Sequence, residues 1–114
     1  MKEQILALLR AARQRITPRN QWTQGYWAYT WAGTKCDAID PNAICWCSAA
    51  ALNREAHDHD WDQQIVLSAL DVLDRFIPGP PQDNVNVFDY NDMSDHATVL
   101  AWFDRAIAWQ EARP

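Results

Sequence analysis

The run from Trp61 to Phe76 constrains the fold most: Trp61, Ile65, Val66, Ala69, Leu70, Leu73 and Phe76 recur at intervals of about three and four residues. That spacing gathers the apolar side chains on one stripe of an α-helix, and such a stripe must be covered by other elements. Asp60 and Gln63 stand at capping-box spacing at its start, with Asp in place of Ser or Thr. The segment Pro78-Gly79-Pro80-Pro81 ends it.

Covering elements are predicted on both sides. Residues 3–16 carry Ile5, Leu8, Leu9, Ala12 and Ile16 on a helical stripe, stopped at Thr17-Pro18 because the residue before proline is pushed out of helical geometry. Residues 95–111 carry His96, Val99, Leu100, Phe103, Ala106 and Ile107 on another, with Ser94 or Asp92 as cap. Asp40-Pro41 followed by an alanine-rich run predicts a helix over residues 41–56, with Asp40 capping and Pro41 in the first helical position. Ile44, Cys47, Ser48, Ala51 and Leu52 would share its inner face, with Cys45 at the margin.

Residues 22–39 show no such stripe. Trp27, Tyr29 and Trp31 alternate with Ala28 and Thr30, Ala32-Gly33-Thr34 reads as a turn, and Lys35 to Ile39 returns as a second strand. One face of this hairpin must lie on the helices, so Trp27, Tyr29 and Trp31 are expected inward, leaving Tyr26 and Trp22 half exposed. Residues 82–92 read as a polar loop anchored by Val85 and Val87. The expected fold class is mostly α (α+β): about four helices and a small β-hairpin between helices one and two, in a single domain over residues 1–114.

The net charge of −5 is unevenly spread. Residues 1–36 hold six basic residues against Glu3, whereas residues 37–114 hold four arginines against fourteen acids. A nucleic-acid partner is disfavoured, since such binding needs a basic face to release counterions. Arg10, Arg13, Arg15 and Arg19 are better read as complementing a helix C-terminus. The apolar stretch near the N-terminus is too short and interrupted for a membrane span or an export signal. A cytoplasmic location is therefore expected, with the three cysteines as reduced thiols.

Metal chemistry is suggested by Cys45-x-Cys47 followed by His57-x-His59, four residues of zinc-ligand type. On one helix over residues 41–56, Cys45 and His57 would lie about 18 Å apart along the axis, and the two thiols would point away from each other. Asp58, Asp60 and Asp62 match the first ligands of a calcium loop, but glycine and glutamate are then missing at Gln63 and Ala69. His57, His59, Asp58 and Asp60 remain weak metal candidates, and no cofactor is expected.

A thiol nucleophile is the catalytic alternative: Cys45 or Cys47 near a helix start, with His96 as base and Asn91 or Asp92 orienting it. Core thiols and a helix-end histidine explain the same residues without catalysis. The aromatic run containing Trp22, Tyr26, Trp27, Tyr29 and Trp31 is the best place for partner binding, because rigid aromatics dominate interface energetics.

Several pieces together resemble a bacterial and phage family of unknown function: Trp22-Thr23-x-Gly25, Ala43-x-Cys45-x-Cys47 running into Ala51-Leu52, Asn91-Asp92, and Val99-Leu100-x-x-Phe103-Asp104-x-Ala106-Ile107. The sequence departs from that pattern at Ala50, where glycine is expected, and at Tyr90, where tryptophan is expected. The resemblance implies no activity or catalytic residue. It implies a mobile-element setting, where small acidic proteins often bind a host or viral protein, and it suggests that the Cys-x-Cys and Asn-Asp pieces converge. The expected function is a non-catalytic module binding a protein or small ligand through Trp22, Tyr26, Asn91 and Asp92. An acidic decoy for a nucleic-acid-binding protein is the third reading; no oligomeric state is implied.

Overall fold

A computed structural model describes residues 1–114, the side chain of Pro81 excepted. Its elements in chain order are helix α1 (Lys2–Arg15), strands β1 (Ala28–Thr30), β2 (Lys35–Cys36) and β3 (Ala43–Trp46), then helices α2 (Ser48–Asp58), α3 (Gln63–Arg75), α4 (Val87–Met93) and α5 (His96–Ala112). The α+β class holds, with five helices rather than four. Helix α1 packs on α2, α3 and α5, and α2 and α5 also touch α3. Leu8, Leu9, Leu52, Leu73, Val99, Trp102 and Phe103 fill the space between them.

The hairpin forms, with Ala28 opposite Cys36 and Tyr29 opposite Lys35, but its second strand stops at Cys36 rather than reaching Ile39. The helix expected over residues 41–56 does not. Its first part is β3, which pairs antiparallel with β1 to complete a sheet of order β2-β1-β3. Asp40 is a cap of another kind. Its Oδ1 accepts from Asn42 N at 2.8 Å and its carbonyl from Ala43 N at 3.0 Å, closing a turn into the strand. A side-chain oxygen bonded to the amide two residues on serves a turn as well as a helix start. Helix α2 begins only after Cys47, which occupies its N-cap.

The inward alternation of the aromatics fails too. Trp31 sits on the hairpin turn, 88% exposed, and Trp27 is 38% exposed. Trp22, expected at the surface, is 6% exposed. The sheet instead turns Ala28 and Trp46 inward, a directly opposed pair. A register shift between Tyr29 and Thr30 leaves Ile44 exposed between Ala43 and Cys45.

Two helix starts lie slightly beyond their expected caps. Asp62, not Asp60, caps α3 by accepting from Gln64 N at 2.8 Å, and Asp95 caps α5 by accepting from Thr98 N at 2.8 Å. The polar stretch 82–92 holds all of α4 but its last residue, and the helix is opened by a reciprocal capping box between Asn86 and Asp89.

Candidate functional site

Asn91 is the polar centre of the fold. Its Oδ1 accepts from Trp22 Nε1 at 2.8 Å, from Ser48 Oγ at 2.7 Å and from Ser48 N at 3.1 Å. Its Nδ2 donates to Thr23 O at 3.0 Å. Asp92 Oδ1 accepts from Gly25 N at 3.0 Å, where φ of +87° suits glycine, and Gln24 Nε2 donates to the carbonyls of Asn91, Asp92 and Ser94. The segment entering β1, the start of α2 and the end of α4 are thus tied together. The asparagine piece meets the residue after Cys47 through the Ser48–Asn91 hydrogen bonds, but Cys45, Cys47, Asn91 and Asp92 line none of the cavities found among the described residues. With every polar atom of the Asn91 amide engaged, the cluster fixes the frame.

Cys47 is buried, and desolvation pushes its thiol up to about 11, outweighing the amides of Ala50 and Ala49 at the helix start. An activated nucleophile needs a shift in the other direction. Cys45 lies half-buried on β3 with its Sγ 4.0 Å from Tyr29 O. His96 Nε2 donates to Ile16 O at 2.7 Å, and its ring stands 5.3 Å from that of Trp22. Among the described residues no hydrogen bond joins His96 to a thiol; it fastens α5 to the end of α1.

The metal candidates also separate. His57 Nδ1 faces Asp58 Oδ1 at 3.6 Å, whereas His59 Nδ1 donates to Glu55 O at 2.8 Å and stacks on Trp61 at 4.4 Å. Burial raises the Asp58 carboxyl, but Arg54, His57 and Arg15 outweigh it and hold the group below its usual value. Asp60 has a φ of +55°. It forms the left-handed position of a Schellman ending to α2, with Trp61 N donating to Ala56 O at 2.8 Å and Asp60 N to His57 O at 3.2 Å. Among the described residues, no three His, Cys, Asp or Glu side chains are placed to hold one metal ion.

The basic N-terminal residues are spent inside the molecule. Arg13 pairs with Asp104 at 3.0 Å, Arg15 with Glu55 at 2.5 Å and Asp58 at 3.0 Å, and Arg10 with Glu111. Arg15 and Arg54 also stand over the Trp46 ring, at 4.5 and 5.4 Å from its centroid.

A groove with room for a ligand lies elsewhere; the sequence singled out Tyr26 and Trp27 on it as partner-binding aromatics and His57 and Asp60 only as metal candidates. This groove, of about 780 Å³, runs between the approach to β1, the exit of β2 and the α2–α3 junction. Tyr26 and Trp27 line it from the approach to β1, Asp37 from the exit of β2, and His57, Asp60 and Trp61 from the α2–α3 junction. Tyr26, which the sequence placed at a binding surface, is 41% exposed here. Trp61 was missed as a lining residue because its stripe position predicts core packing; it is half-buried against the core and lines the groove as well. Asp37 and Asp60 carry the formal charge of the lining, which contains no lysine or arginine.

The model of one family, described as a family of unknown function (DUF6197), matches residues 1–108. No curated protein and no solved structure is significantly similar to the chain. Among the described residues, no helix is long and apolar enough to cross a membrane.

Proposed function

The chain belongs to DUF6197, a family of unknown function, and from that premise we propose that it is a non-catalytic module that holds a protein partner in the groove beside Tyr26. The observation that carries this reading is the groove itself: three aromatic residues and two carboxylates line an open concavity on a firmly tied frame. Its volume of about 780 Å³ falls within the range of binding clefts. Tryptophan and tyrosine are the side chains that most often anchor a partner, because they bury much area with few rotatable bonds.

The frame favours a surface that changes little on binding. Trp22, Asn91 and Ser48 lock the segment leading to Tyr26 onto α2, and the Schellman turn fixes Asp60 and Trp61. Three free cysteines fit a reducing cytoplasm.

The test is affinity capture from the source cells with the wild-type chain and the Tyr26→Ala variant, alongside thermal melting. The expected result is a defined protein retained by the wild type and lost by the variant, with equal melting temperatures. Equal capture by both would remove the groove from the account.

A further inference from the structure

Resting on that reading, we propose that the groove receives a cationic side chain of the partner, an arginine guanidinium above all, between Trp27 and Trp61 and against Asp37 and Asp60.

The disposition of the seven tryptophans leads to this assignment. Three already carry a guanidinium from the chain itself: Arg19 over Trp22 at 5.3 Å, Arg15 and Arg54 over Trp46, and Arg75 and Arg113 over Trp109, each at 4.7 Å. Trp102 is enclosed in the core, its ring 4.9 Å from that of Tyr90 and 5.9 Å from that of Phe103. Trp31 stands alone on the hairpin turn. Trp27 and Trp61 remain. Both line the groove, and among the described residues neither has a cation over its ring.

Each of these two rings is braced from outside the groove's charge. Phe88 meets Trp27 edge-on at 4.6 Å, and His59 stacks on Trp61 with 13° between planes. Two internal cations touch lining residues, and both are engaged: Lys35 stands 5.1 Å from the Tyr26 ring centroid, and Arg54 Nη1 donates to Ala38 O at 3.4 Å and to Asp40 O at 3.1 Å. Two aromatic residues and two carboxylates, with no lysine or arginine in the lining, give the recess a negative formal charge. A guanidinium matches it twice, since it stacks on an indole and its planar fork pairs with a carboxylate. The acidic balance of residues 37–114 would draw such a partner in.

The test is a titration of the folded chain with the peptide Gly-Ser-Arg-Ser-Gly, capped at both ends, and with its neutral citrulline counterpart, following the seven indole N–H signals by NMR. The expected result is saturable shifts of Trp27 and Trp61, with Trp22, Trp46 and Trp109 unmoved. Citrulline should weaken binding by roughly five- to thirtyfold, and the double variant Asp37→Asn, Asp60→Asn by at least about threefold. Absence of saturable shifts, shifts centred on other indoles, or equal binding of the citrulline peptide would overturn the proposal. Loss of partner capture by Tyr26→Ala alongside a peptide failure would leave the groove as the docking surface and discard the cation. Capture indifferent to Tyr26→Ala would discard the groove instead.

Discussion

The indole N–H of Trp22 donates to Asn91 Oδ1 at 2.8 Å, joining the approach to β1 to helix α4 across 69 residues of sequence. The same oxygen takes the amide and hydroxyl of Ser48, so one buried acceptor holds three elements in register. The aromatic wall of the groove follows directly from this tie, since Tyr26 and Trp27 leave it within a few residues.

Asn91→Ala would strand the Trp22 and Ser48 donors in the interior. Buried donors without partners cost on the order of 1–3 kcal/mol each, less whatever water can recover. The expected loss is roughly 2–4 kcal/mol by urea denaturation. A loss below about 0.5 kcal/mol would show that the cluster is not the tie that holds the frame.

Asp60 occupies a left-handed backbone position with φ of +55°, where a Cβ is unfavourable and glycine is not. Asp60→Gly should raise stability by up to ~1 kcal/mol while lowering affinity for the arginine peptide, because the carboxylate leaves the groove. Melting and peptide titration on one sample check both halves. A variant that is less stable and binds equally well would contradict the assignment.

Cys47 has a folded-state thiol pKa of about 11 against an ordinary value of 9.0. The native state therefore holds its proton more tightly than the unfolded chain. This contribution to stability is fully present below about pH 9 and is lost as pH rises toward 11. Alkylation by iodoacetamide should reach half-buried Cys36 and Cys45 first and Cys47 only through unfolding, as peptide mapping would show. Rapid native-state labelling of Cys47 near neutral pH would revive the nucleophile reading.

Trp31→Ala removes a ring that is 88% exposed. Stability should change by less than about 0.5 kcal/mol, in contrast to Trp22→Ala, which empties a buried site. Comparable losses from the two would mean the hairpin turn packs against something on the surface.

The long stripes were legible because burial of an amphipathic helix leaves a regular trace: α1, α3 and α5 lie within about three residues of their expected ends. The short elements were not. Asp40-Pro41 makes the same local hydrogen bond at a turn as at a helix start, and only pairing with β1, distant in sequence, decides for a strand over Ala43–Trp46. Helix α4 has seven residues, too few for a stripe, although Asn86 and Asp89 marked its capping box. The groove was half legible. Tyr26 belongs to it, but Trp61 carries a core-like spacing, and Trp22 and Asn91 proved to be framework, a role that only their long-range hydrogen bonds reveal.

The claim that this chain binds through the Tyr26–Trp61 groove is tested most directly by hydrogen–deuterium exchange on the captured complex. Protection should appear over residues 36–39 and 57–63 relative to the free chain, with the amides around Asn91 already slow in both. Protection confined to α1 or α5, with those two segments unchanged, would contradict it.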